Sequence, residues 1–290
     1  MIELTTLIVM VLSAATPILF AALGELIVER AGVLNLGVEG MMITGALAGF
    51  AVAHGTGSPA IGFVAAACAG AALSMIFGLL TQYLLTNQVA TGLALTLFGL
   101  GLSALLGKAY EGLKAPLMAQ GPLGINWVIW LGLAMVFAIK WFLNHTHGGL
   151  ALRGIGENHD AAHALGHKVR ATRLAAIAFG GAMAGIGGAY ISIATVRQWT
   201  EGMTAGAGWI ALALVVFAGW RSYGVLAGAW LFGGVAALQL RLQAAGVNVP
   251  VQLLAMAPYL ATIIALVIIS ARRKGSPAPG SLGQIFHTTS

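Results

Sequence analysis

A shortage of charge constrains this chain more than any other feature. Only 8% of its 290 residues are Asp, Glu, Lys or Arg, against about 25% in an ordinary soluble domain. So few charges could not cover the surface of a soluble protein of this size. Hydrophobic residues reach 59% and the mean hydropathy is +0.93, so the natural solvent of the chain is a bilayer. No polar stretch is long enough to build a second domain.

A helical span needs roughly 17–25 mostly apolar residues. Nine segments meet that description, at about 4–28, 33–53, 60–83, 88–107, 125–143, 171–193, 205–219, 222–240 and 251–270. The chain therefore reads as an all-α, polytopic membrane helical bundle. The seventh segment is short and holds Gly206, Gly208 and Gly219, which fits a broken or re-entrant helix. The bundle occupies 1–275, and 276–290, with Pro277, Pro279 and Gly280, reads as a flexible tail. The first residues carry Glu3 and no basic cluster, so they read as part of the first span and not as a signal peptide.

Lys and Arg favour the cytoplasmic side of short loops. Arg153, Lys168, Arg170 and Arg173, the tail residues Arg272, Arg273 and Lys274, and the turn residues Arg30 and Arg221 all fall on one side of a nine-span chain. This predicts an N-terminus outside and a cytoplasmic C-terminus; Lys108, Lys114 and Arg241 go against the trend. The net charge of +6 is thus a topology signal, with no call for nucleic acid. The single Cys68 excludes a disulfide within the chain.

Glycine, at 41 residues, lets membrane helices approach closely. Gly181 with Gly185, and Gly224 with Gly228, have the spacing for it, although glycine is common in membrane helices generally. Segments 36–73 and 208–238 share a pattern of small-residue helix, marked turn and small-residue helix, in opposite senses across the predicted membrane. An inverted repeat and chance similarity both account for that echo.

The stretch Arg153-Gly154-Ile155-Gly156-Glu157-Asn158-His159-Asp160-Ala161-Ala162-His163-Ala164-Leu165-Gly166 is the most informative. A glycine-flanked turn leads to Asn158, a good N-cap, with Asp160 in the first turn beside the positive helix end. Gly166 is placed to stop the helix. A short helix with a small-residue face suits docking into a partner's groove, and an ordinary amphipathic connector fits the spacing equally well.

This stretch resembles the coupling loop of ABC-importer permeases of the branched-chain amino acid and ribose type. The resemblance implies that Arg153, Gly156, Glu157, Asn158, Ala161, Ala162 and Gly166, in a loop of about 145–170, couple the membrane domain to separate ATPase subunits. His159 departs from the family, which usually has Pro there. Gly24 to Met42 and Asn87 to Leu95 resemble segments of the nucleoside-type subfamily, and Met256 to Thr262 matches a further family pattern. The similarity covers most of 15–270. It implies a multi-pass permease of the bacterial plasma (inner) membrane with ABC ATPase subunits, a second permease chain and an extracytoplasmic solute-binding protein as partners. It also implies no enzyme activity and no cofactor in this chain, with ATP and Mg on the partner subunits.

Asn35, Glu39, Asn87, Gln88, Thr91, Trp209 and Phe217 are the candidates for the substrate pathway. Polar groups in apolar segments are costly and usually face a cavity, a partner or water. Amides suit sugar hydroxyls and base edges, and aromatic rings could stack on a base. Tying helices together is at least as good a reading for each polar residue. Glu25, Glu29 and Arg30 read as a structural charge pair, and Trp199 and Glu201 as exposed residues of an outer loop. His159, His163 and His167 share a helical face but read as solvated positions in preference to a metal site, since Gly166 interrupts the helix. The run from Gly101 to Lys108 has the wrong spacing for a phosphate loop.

Overall fold

A computed structural model describes residues 2–121, 124–244 and 278–287, together with Met256, Leu260, Ile263, Ile264 and Val267. Its helices are α1 (Ile2–Arg30), α2 (Val38–Thr56), α3 (Pro59–Gln82), α4 (Gln88–Gly107), α5 (Trp127–His145), α6 (His147–Glu157), α7 (His159–Ala164), α8 (Val169–Ala189), α9 (Ala207–Ala218) and α10 (Ser222–Ala244). A π turn, Tyr190–Thr195, extends α8. Among the described residues, six helices are long and apolar enough to cross a membrane: α1, α3, α4, α5, α8 with its π turn, and α10. The ninth expected span falls on residues of which only five are described.

Several helices begin where a side chain replaces a missing backbone partner. Asn87 Oδ1 accepts from Ala90 N at the start of α4, and Asn126 Oδ1 accepts from Ile129 N at the start of α5. Thr146 Oγ1 accepts from Gly149 N at the start of α6.

The core is α1, α2, α3 and α8, packed backbone to backbone. A Cβ on Gly45 of α2 or Gly70 of α3 would sit inside the backbone of α8, against Gly185 and Gly181 respectively. At Gly188 it would strike the Met42 carbonyl. These approaches replace the hydrophobic drive that lipid cannot supply. Both glycine pairs singled out from the sequence lie in such contacts: Gly181 and Gly185 against α3, Gly224 and Gly228 against α9.

α2 and α9 are shorter than the expected spans because both start part-way through the bundle. Gly40 lies against Leu95 and Thr96, the middle of α4, so α2 starts at mid-depth. The stretch leading to it, which the hydropathy pattern places inside the second span, is not helical, and side chains take up its backbone groups. Leu34 N donates to Gln88 Oε1 at 2.8 Å, Asn35 N to Glu25 Oε1 at 3.4 Å and Gly37 N to Asn35 Oδ1 at 2.9 Å. The Leu36 carbonyl accepts from Thr96 Oγ1 at 3.0 Å. Unwound backbone at membrane depth survives only when satisfied in this way. α9 starts beside α2 at Glu39, and the turn after it brings Trp220 next to Arg30 at the end of α1. The units α1–α2 and α8–α9 therefore run in opposite senses, each a long helix, a returning strand of chain and a helix starting at mid-depth.

Two expectations about chain ends and loops are corrected. Residues 278–287 of the expected flexible tail pack along the α7 end of the bundle. Ser281 N donates to the Gly156 carbonyl at 2.8 Å and Gly283 N to the Gly32 carbonyl at 3.2 Å. Phe286, 3% exposed, joins Ile155, Ala162 and Val169 in a small core of its own. Composition could not reveal these partners, which come from three distant segments. Trp199 is 2% exposed because its indole fills the space left by the missing side chain of Gly107; Glu201 is exposed.

Candidate coupling face and solute path

The stretch with the coupling-loop pattern folds as two helices, and its turn lies later than the glycines predict. Gly154 and Gly156 are inside α6. A Cβ on Gly156 would strike the Arg30 carbonyl, so this glycine lets α6 lie directly on the end of α1. The chain turns at Asn158, whose Oδ1 accepts from Ala161 N at 2.9 Å and starts α7. Gly166, at φ +86, stops it in the left-handed conformation that favours glycine, and His167 N donates back to the Ala162 carbonyl at 3.1 Å.

α7 has two faces. Ala162 is buried against Phe286 and Ile155. Ala161, Ala164 and Leu165 are exposed, Leu165 by 80%. Leu165, Leu150, Ala151 and Ala161 line a groove of about 410 Å³ whose other walls include Gly154, Glu157 and Asn158. Of the residues carrying the coupling-loop pattern, Glu157, Asn158, Ala161 and Ala162 meet at this groove, Arg153 lines the adjoining one, and Gly156 faces inward.

Beneath α7 lies a buried guanidinium that the sequence marked only as a topology charge. Arg173 of α8 is fully buried. Its Nε donates to the Ala31 carbonyl at 3.1 Å and its Nη1 to the Gln284 carbonyl at 3.1 Å. Its Nη2 faces His159 Nδ1 at 3.3 Å. One side chain thus ties together the end of α1, the C-terminal segment, α7 and α8. Arg cannot accept a hydrogen bond, so His159 Nδ1 is the acceptor and Nε2 carries the proton, directed at Asp160 Oδ1 3.5 Å away. Burial first, and then the Arg173 charge, hold the His159 imidazole below its usual pKa, against the pull of Asp160. His159 is 6% exposed and its ring meets Phe286 edge-on at 5.4 Å, so the expectation of a solvated histidine fails there. His163 and His167 are exposed.

The seven pathway candidates do not line one cavity among the described residues. Three are structural. Asn35 folds the 34–37 segment on itself, with Nδ2 directed at Met41 Sδ. Gln88 holds that segment and also donates Nε2 to the Gln284 carbonyl at 3.4 Å. Glu39 caps α9: Gly206 N and Gly208 N donate to its two oxygens at 2.9 and 2.7 Å, and Thr204 Oγ1 donates as well. Its carboxylate thus sits between the N-terminal, positive ends of α2 and α9. Asn87 caps α4, and Thr91 Oγ1 pairs with Thr86 Oγ1 at 2.9 Å. Phe217 lines a cavity at the α7 end. Trp209 is 49% exposed, one residue from the Glu39 contact and hence at mid-depth on the outer face of α9.

Glu29 and Arg30 do not pair with each other; both hold Trp220. Its indole Nε1 donates to Glu29 Oε2 at 2.5 Å, and Arg30 Nη2 donates to its carbonyl at 2.7 Å. Trp220 has φ +55, a costly conformation for a bulky residue, and these bonds fix the turn between α9 and α10.

The family model described as "Branched-chain amino acid transport system / permease component" matches residues 7–271. The chain is 40% identical over 289 residues to the putative glucose ABC transporter permease protein TsgC13 of Haloferax volcanii, covering 87% of this chain and 88% of that one. It is 30% identical over 295 residues to the guanosine ABC transporter permease protein NupQ of Bacillus subtilis, covering 92% of each. It is also 30% identical over 300 residues to the nucleoside ABC transporter permease protein NupC of Lactococcus lactis, again covering 92% of each. No solved structure matches it.

Proposed function

The chain belongs to the branched-chain amino acid transport system / permease component family, and from that premise we propose that it forms part of the path by which an ABC importer takes up nucleosides. It is a transport component, and ATP hydrolysis is assigned to separate ATPase subunits. The α7 end faces the cytoplasm in this reading, consistent with its concentration of Arg and Lys. The observation that carries the mechanism is the α6–α7 groove: a capped short helix offers Leu165 and Ala161 outward while its other face is fastened to α1 and α8 through Arg173. A push on α7 would therefore reach α1 and α8 through these bonds. α2 and α9, which start at mid-depth, are the elements that alternating access would shift, and Trp209 is placed to line a path shared with a second permease chain.

The nucleoside assignment rests on the resemblance of 24–42 and 87–95, and on the two relatives named for guanosine and nucleosides. The relative named for glucose, at 40% identity, favours a sugar as the second reading. Uptake of radiolabelled guanosine and glucose by cells with and without the chain separates the two. Loss of guanosine uptake on deletion, with competition by adenosine and not by glucose, ribose or guanine, is the expected outcome. Loss of glucose uptake alone overturns the nucleoside assignment. Leu165→Asp tests coupling: it is expected to abolish uptake without lowering the thermal stability of the chain, since so exposed a residue contributes little to folding. Normal uptake by that variant would sink the role of α7.

A further inference from the structure

A second basic feature lies beside the coupling face and shares Arg153 with it. The C-terminal turn of α5, the N-terminal turn of α10, the end of α1 and the middle of α6 enclose a cavity of about 850 Å³. Arg30, Lys140, Arg153 and Arg221 all line it. Among the described residues, no carboxylate lies within 4.0 Å of any of the four. Arg30 bonds only to the Trp220 carbonyl, and the Lys140 ammonium sits 4.0 Å over the Tyr223 ring; neither partner carries a compensating charge. Arg153 Nε is buried and makes no hydrogen bond, which leaves a donor without an acceptor.

The neighbouring elements offset this charge only in part, Glu157 attracting Arg30 from the adjoining groove. Glu29 is engaged by Trp220, and Glu157 lines the adjoining groove with Arg30 and Arg153. The carbonyl ends of α1, α5 and α9 are nearby, but each carries only about half a negative charge, and the start of α10 adds about half a positive one. Four full cations outweigh them. Such a concavity calls for a compact anion with several acceptor oxygens, which is the chemistry of a phosphate group.

The surroundings favour a lipid as its source. Trp141 and Tyr223 are 62 and 45% exposed on the same two helices, and Trp and Tyr collect at the membrane–water boundary. Basic pockets between spans at that boundary recognise anionic headgroups. We propose that this cavity binds a phosphate group, supplied by the headgroup of an anionic phospholipid. The inference does not depend on which solute the chain carries.

The test is lipid retention by the full-length chain in neutral detergent, read by native mass spectrometry with phosphatidylglycerol or phosphatidylcholine added. Preferential retention of phosphatidylglycerol is expected. Lys140→Gln with Arg221→Gln should weaken it about thirtyfold, from roughly fivefold per cation removed near an anionic surface. Lys140→Arg with Arg221→Lys keeps the charge and should keep the preference, which guards against a merely misfolded variant. Millimolar inorganic phosphate that leaves phosphatidylglycerol bound supports a lipid source. Inorganic phosphate that displaces it and binds alone keeps the phosphate pocket but overturns the lipid. Equal retention of the two lipids, or a preference that survives the double Gln variant, overturns the site.

Discussion

Glu39 and Arg173 are both buried charges with no oppositely charged side chain within 4.0 Å among the described residues, and the bundle treats them differently. Glu39 accepts from Gly206 N, Gly208 N and Thr204 Oγ1, all at the start of one helix. Arg173 donates to carbonyls from two separate segments, and its third contact is a titratable ring on α7. In both places backbone dipoles stand in for a salt bridge, which limits the desolvation penalty of a second buried ion. The Glu39 site joins elements within the bundle. The Arg173 site joins the bundle to a short helix and a chain end, which should detach before the spans come apart. The first is a fixed joint, the second an adjustable one.

That contrast breaks if the two sites respond alike to substitution. Glu39→Ala leaves three buried donors unmatched and should have the largest effect, about 3–5 kcal/mol, read as loss of monodisperse protein on heating in detergent; Glu39→Gln, which keeps one acceptor, should lose less. Arg173→Met should follow, at about 2–4 kcal/mol, and its signature should be local: faster hydrogen exchange at Ser281 and Gly283 before any loss of the spans. If Arg173→Met instead melts the whole bundle, the joint is not adjustable.

Phe286→Ala sharpens the same point. It should free the C-terminal segment at a cost of about 2–4 kcal/mol, seen as protease cleavage within 278–287 with the α1–α10 fragment still folded. The smallest effect concerns pH. The His159 pKa is lowered in the folded chain, so the folded state binds fewer protons than the unfolded one just below pH 6.5. The stability that neutral His159 contributes is present above about pH 6.5 and is lost as pH falls below it. Protection of the Ser281 and Gly283 amides, corrected for the intrinsic pH dependence of exchange, should therefore fall on acidification through that point, and His159→Asn should abolish that fall. A protection factor in the wild type that does not change with pH would remove His159 from the joint.

The sequence by itself determined what neighbouring residues decide. The shortage of charge set the solvent, apolar runs set the long helices, and Asn158 and Gly166 set the limits of α7. Caps and stops are local, acting within a few positions of themselves. The glycine-flanked turn at 153–156 was misplaced because the reason for Gly156 lies on another helix, at the Arg30 carbonyl. Asn35, Glu39 and Gln88 were legible as residues that must be satisfied, but not as residues already satisfied. Only the tertiary structure decided that, together with the burial of Trp199, the hub role of Arg173 and the docking of 278–287. A buried polar group takes its role from its partner, and, Asn35 apart, these partners lie tens to well over a hundred positions away, from Leu34 with Gln88 to Glu39 with Gly208. No local pattern records which of many distant backbone groups will be left open to receive them.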